Sequence, residues 1–391
     1  MEAHVPRPDG SAMSSLDRRT LLFGVLGAAG AAALPACSAA PRAAVRVAAT
    51  TPPPSPSPSA TPSPADTRPR WPLTGRLVAG GASVAHAAVA VKVPDNVREH
   101  PQSGIDAADI VFVELDGYRD ASGWSGTRLM PVFHSRLPDD VAPVRSIRPV
   151  DVAVLGPAGA VIGNTGATGW VLAYVEHHRA LVDGSATYMA TKGTGSYSID
   201  PDRVRTYQGV TYYDRAVVCH PKVLSRRSRS FRKGPPEPYF PFAPTADGAS
   251  TAAGKPARTV AVPWKSGHTY DMSYTYDAGS GRYRRSMPWG PHVLADGTRV
   301  TTDNVLVVRA AQRYAKIYPG PGGAEPVHDV VDARGSFVYA HGGRYVTGTW
   351  AKGALGDPFT FTLADGSPLL MAPGRTFVEL ARTKADVVVR R

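Results

Sequence analysis

Residues 51–70 read TPPPSPSPSATPSPADTRPR, and a run of proline, serine and threonine with almost nothing apolar has no core to bury. Such a segment is an extended, semi-rigid tether, rising about 3 Å per residue. Folding is therefore expected to begin after it, near Trp71, and the chain before it must serve another purpose. Residues 37–70 are the tether of the expected organisation, reaching several nanometres at most.

Residues 17–37 read DRRTLLFGVLGAAGAAALPAC. Arg18 and Arg19 precede a short apolar run, which ends at Leu34-Pro35-Ala36-Cys37. The run is too short and wrongly flanked for a permanent membrane span, so residues 1–36 read as a secretory signal. The paired arginines resemble a twin-arginine export signal. The LPAC tetrapeptide resembles a bacterial lipobox, in which the signal is cut before the cysteine and that cysteine is lipidated. Cys37 is then the lipidation site and the tie to the cytoplasmic membrane, with the folded part on the extracellular face. Met13 offers an alternative start.

The chain has 391 residues and a formal charge of +12, enough length for two domains. It contains two cysteines; with Cys37 lipidated, Cys219 has no partner and no disulfide framework can form. In AVVCHP, Cys219 reads as a small buried side chain. The positive charge suits acidic polymers, anionic headgroups or nucleic acid. Export sets nucleic acid aside and favours envelope polyanions and the membrane surface.

HAAVAVKV (86–93), ADIVFVEL (108–115) and GTRLMPVFHS (126–135) are apolar enough for strands, with Pro131 pointing to an edge or a bulge. ATGWVLAYVEHHRAL (167–181) is the clearest helix: Trp170, Leu172, Tyr174, Val175 and Leu181 recur at near-helical spacing, with Asn164 or Thr165 as a cap. DPDRVRTYQG (200–209) predicts a short helix. After the linker-like TADGASTAAGKPA (245–257), strands and turns follow, with turns at Asp277 to Gly281, His341-Gly342-Gly343 and Asp365-Gly366. The expected fold class is α+β: a mixed α/β N-terminal domain over 71–244, then a mainly antiparallel β C-terminal domain over 258–391.

Several stretches resemble, in order, the YerB-like bacterial lipoproteins, a family with a domain of unknown function. They are WPLTG (71–75), HPQSGIDAADIV (100–111), TRLMPVFHS (127–135), APVRSIRP (142–149), YDAGSGRYRR, NVLVV, GTW (348–350) and DGSPLLMAPGRTFVEL (365–380). The resemblance implies a two-part α+β protein at the outer face of the cytoplasmic membrane and supplies no activity. The sequence departs from the family at Val113, where an acid is usual, and in the longer turn LDGYRDASGWSGTR before Arg128. RAVVCHPK (215–222) is an altered counterpart of another family stretch.

Arg128, Arg145 and Arg148 are the strongest constellation, since three converging forks can clamp an oxyanion bidentately. Glu114 and Asp116, two apart on a strand, share a face and serve as acid and base or as counterions to the arginines. Asp151 and Asn164 are lesser members of the same cleft. The alternative is an arginine–carboxylate network that fixes the PVRS corner and binds nothing. Lys222, Arg226, Arg227, Arg229, Arg232 and Lys233 form a basic run that suits anionic lipid or envelope polymer, or a solvated loop. SFRK (230–233) lacks the companion motifs of penicillin-binding enzymes, and TKGTGS (191–196) lacks phosphate-loop spacing. His177 and His178 project to different faces of their helix. No metal or cofactor is expected.

The leading expectation is a membrane-anchored surface lipoprotein that binds an anionic envelope component or a partner protein through an arginine-lined cleft. The alternative is an envelope hydrolase or transferase acting on a glycan or phosphodiester, with Glu114 as acid or base and the arginines stabilising negative charge.

Overall fold

Val305 and Val307 point to one side of their strand and Leu306 and Val308 to the other, and all four are buried. A strand apolar on both faces belongs inside a sheet covered on both sides. The computed structural model describes residues 67–119, 125–213, 215–227 and 234–391. The signal, Cys37, most of the tether and residues 228–233, with Arg229, Arg232 and Lys233, lie outside the described residues.

Strand Asn304–Ala315 sits mid-sheet, with antiparallel Ala333–His341 on one side and parallel Thr376–Arg382 on the other. Arg344–Lys352 extends the sheet beyond Ala333–His341. In the other direction Thr376–Arg382 runs parallel to Ile110–Arg119, with Glu379 opposite Val113. Ser125–Phe133, Val89–Val91 and Val161–Gly163 follow in that order. Early and late parts of the chain thus share one mixed sheet.

A second, antiparallel sheet is built on Arg282–Met287, Asp271–Asp277, Thr259–Pro263 and Val388–Arg390. Its Val260, Met272, Tyr274 and Tyr283 pack with Val111, Val113, Val305, Val307 and Phe377 of the large sheet. On the opposite face, helices Pro149–Leu155 and Gly169–His177 press Val150, Val154, Trp170 and Val175 against Ile110, Phe112, Leu306 and Val308. The result is a mostly β molecule of three layers, helices over a mixed sheet over an antiparallel sheet. Full burial of each such aliphatic or aromatic side chain contributes about 1.5–3 kcal/mol.

The hairpin expected around Asp277 to Gly281 joins Asp271–Asp277 to Arg282–Met287, and His341-Gly342-Gly343 turns between two strands as expected. Elsewhere the local reading needs correction. Ser125–Phe133 is interior, between Ile110–Arg119 and Val89–Val91, so Pro131 is not on an edge. Proline has no N–H to donate, and the ladder beside it is interrupted: pairing runs through Ala90–Val132, stops, and resumes at Val93–Leu129. The long helix is Gly169–His177, with Thr168 at its N-cap position and Leu172 exposed. Residues 201–203 form only a 3-10 turn, and Arg205–Tyr207 pairs with Val210–Tyr212 as a hairpin instead. Among the described residues, no helix is long and apolar enough to cross a membrane.

Candidate functional site: a closed polar network

The break in the strand opposite Pro131 is followed by Lys92, a lone cation within an apolar run. Its ammonium is wholly buried, pairs with Glu114 and lies 2.8 Å from Asp151 Oδ1. Asp151 is placed by the start of the Pro149–Leu155 helix, where its other oxygen accepts the Arg148 backbone N–H at 2.7 Å. Burial and the nearby Asp151 raise the Glu114 carboxyl well above its usual range, against the pull of Lys92. One proton on Glu114 leaves Lys92 and Asp151 as a balanced pair.

The arginines lie alongside. Arg128 directs Nε (2.8 Å) and one terminal nitrogen (2.5 Å) at Asp116 Oδ1, and another at the Ser146 carbonyl at 2.7 Å. Arg148 donates to the Asp116 carbonyl from two nitrogens, at 2.8 and 2.6 Å, and lies 3.6 Å from Glu325. Burial opposes ionisation of Asp116, but Arg128 and Arg148 outweigh it and hold its carboxyl below the ordinary value. Arg145 is bound to Glu99 through Nε at 2.8 Å and a second nitrogen. Asn96 links the two groups, donating to Asp116 at 3.2 Å and to Glu99 at 3.3 Å.

Four cations, Lys92, Arg128, Arg145 and Arg148, therefore face Glu99, Glu114, Asp116, Asp151 and Glu325. With Glu114 protonated, the set is electrically balanced. Arg128, Arg148, Asp116 and Glu114 are all buried, and the guanidinium forks are engaged by carboxylates and carbonyls. Asn164 stands apart from these side chains: its amide donates to the Ile162 and Gly184 carbonyls at 2.9 and 3.1 Å and accepts from Gly166. Of the basic run, Lys222 pairs with Asp139 at 2.5 Å, and Arg226 and Arg227 close helix Pro221–Arg227. Cys219 is buried, and burial pushes its thiol far up.

A second polar cluster adjoins the first and has no counterpart in the residues singled out by sequence. Arg285, wholly buried in the small sheet, clamps Asp95 at 2.7 and 3.3 Å. Asp95 also accepts from Thr127 at 2.9 Å and lies 3.2 Å from His100. Burial opposes the charge on Asp95, yet Arg285 and His100 hold its carboxyl far below the ordinary value. Burial and Arg285 keep His292 neutral. Its Nδ1 therefore accepts from Arg285 at 2.8 Å and its Nε2 donates to Gln102 Oε1 at 2.8 Å. Ligand atoms of Asp95, His100 and His292 lie within 4.8 Å of one another, a spacing a metal ion can bridge. The Arg285 guanidinium already supplies the positive charge there, and a second cation would sit against it.

The sequence carried partial signals for these partners. Lys92 is a charged residue in an otherwise apolar strand, and His100 and Gln102 lie within HPQSG. Arg285 and His292 are remote in sequence from Asp95, so only the packed sheets bring them together.

Residues 73–218 match the family described as "Protein of unknown function (DUF3048) N-terminal domain", and residues 260–378 match its C-terminal domain. The fold is similar to the crystal structure of YerB protein from Bacillus subtilis, with a TM-score of 0.61 and 19% sequence identity. That likeness covers 82% of this chain and 100% of the other. No curated protein matches the chain.

Proposed function

The chain belongs to the DUF3048 family, and from that premise we propose that it is a membrane-anchored surface lipoprotein of the bacterial cell envelope. Its folded unit binds an anionic envelope component or a partner protein. The anchor reading is supported by Arg18 and Arg19, the apolar run, the LPAC junction at Cys37 and the tether that follows. In this reading residues 71–244 supply the helices and one part of the large sheet, and residues 258–391 supply most of its remaining strands and all of the small one.

Binding is favoured over hydrolysis or transfer by one observation: Lys92, Glu114, Asp116, Arg128, Arg148 and Asp151 are enclosed, with the cations taken up by carboxylates and carbonyls and Glu114 Oε2 buried without a partner. A general acid or base must come within hydrogen-bond reach of the reacting group, and Glu114 is wholly enclosed against Lys92. The arginines then act as the frame of the PVRS corner. Arg145 is the most open of the three at 18% side-chain exposure and is still held by Glu99.

Membrane fractionation tests the anchor. Wild-type protein is expected with the membranes, and Cys37→Ser is expected in the medium. Retention of the Cys37→Ser protein on membranes refutes the lipid tie.

A further inference from the structure

Strand alternation sorts the arginines of GRYRRSM into two kinds. Tyr283 and Arg285 are buried, whereas Arg282 and Arg284 face solvent with 41% and 52% of their side chains exposed. Register places Arg282 opposite Asp277 and Arg284 opposite Thr301. Arg299 joins them on the wall of an open depression of about 380 Å³, completed by Asp277, Ser280 and Thr301.

The charges there do not balance. Asp277 is bound by Arg284 at 2.7 Å. Asp303, which meets Arg282 at 3.3 Å, is shared with Arg76 at 2.7 Å and with the Arg375 backbone N–H at 2.8 Å. Arg299 has no carboxylate among the described residues: it donates to the Arg285 and His292 carbonyls and, at 2.8 Å, to Ser286 Oγ. These bonds fix the Arg299 side chain on the wall of the depression. Burial, then repulsion from Arg284 and Arg285, weakens its hold on its proton, as expected where positive charge is in excess.

We propose that this depression is an oxyanion site for a phosphodiester, with Arg282, Arg284 and Arg299 as its binding groups and Thr301 and Ser280 at its rim. Guanidinium forks match the paired oxygens of phosphate, and the +12 chain draws polyanions toward it. The volume exceeds one phosphate and admits an attached polyol, so glycerol phosphate is the fitting unit. That unit occurs in envelope polymers and in phosphatidylglycerol headgroups alike. The inference rests on the anionic-component part of the proposed function and moves the contact from Arg145 and Arg148 to the small sheet.

The test is calorimetric titration of the chain from residue 37, carrying Cys37→Ser, with glycerophosphoglycerol, a soluble phosphodiester of the same unit. Parallel flotation uses vesicles of phosphatidylglycerol or of phosphatidylcholine. Saturable binding is expected, weakened at least ten-fold by Arg282→Ala with Arg284→Ala and unchanged by Arg179→Ala, an exposed arginine on the helix side of the fold. Circular dichroism checks that each variant is folded; Arg284→Gln, which keeps a side chain of similar length, serves where the double variant is not, and is expected to weaken binding too. Flotation with phosphatidylglycerol alone assigns the headgroup, whereas glycerophosphoglycerol binding without flotation assigns the polymer. Absent binding at millimolar ligand, or binding indifferent to Arg282 and Arg284, overturns the site. Because this protein carries no lipid, failure here leaves the anchor standing, and release of wild-type protein from membranes leaves the site standing.

Discussion

Lys92 shows how one buried side chain organises its neighbours. Two carboxyls share its ammonium, and Glu114 resolves the imbalance by keeping a proton. Glu114→Gln, which mimics the protonated form, is expected to change stability at pH 7 by less than about 1 kcal/mol. Lys92→Met strands the Asp151 carboxylate and is expected to cost about 3–5 kcal/mol. Urea unfolding of both variants measures this. The pH dependence has a defined sign. The folded state holds the Glu114 proton where the unfolded chain has lost it, so this contribution is fully present below pH 4.5 and lost as pH rises through the folded value. Glu114→Gln should flatten that alkaline decline.

Buried histidines act at the other end. Burial lowers His134 to about 4, and burial with Lys92 lowers His328 to about 3. Both stay neutral in the fold while the unfolded chain takes up protons below 6.5. Their contribution is present above pH 6.5 and lost as pH falls toward 4 and then 3. Thermal unfolding between pH 7 and 4 checks this, and His328→Gln should make the acid decline shallower.

Among the elements, the strand pair Ile110–Arg119 and Ser125–Phe133 supplies Glu114, Asp116 and Arg128 of the network. Arg128 and Asp116 come from its two strands, and the corner that follows supplies Arg145 and Arg148. Truncating the corner removes partners from Glu99 and Glu325 together. Arg145→Ala with Arg148→Ala is therefore expected to lower unfolding free energy by about 3 kcal/mol, read from the urea midpoint at unchanged slope. Unchanged stability with lost envelope binding would favour a ligand cleft instead. The arginines were legible at this scale because their motif is compact. Of their partners Asp116 was legible as a counterion, whereas Glu99 and Glu325 lie outside any motif that pointed to them. The helix over 167–181 was legible in kind but drawn too long, because Leu172 and Leu181 have apolar character without deep burial. Pro131 misled because a ladder can be interrupted inside a sheet as well as ended at its edge.

At the scale of the molecule, the apolar runs of NVLVV and FVEL announced strands but could not say which would be neighbours. Thr376–Arg382 fills the place between Asn304–Ala315 and Ile110–Arg119, a parallel arrangement no local pattern encodes. A chain ending before Thr376 is expected not to fold, and loss of the near-ultraviolet circular dichroism signal would show it. The proposed lipid tie at Cys37 is the part of the proposed function that every other part depends on. The most direct measurement is the intact mass of the protein extracted from membranes of cells that make it. A lipid-anchored protein begins at Cys37 and carries covalent acyl groups there; a chain beginning elsewhere, or an unmodified Cys37, would refute the anchor.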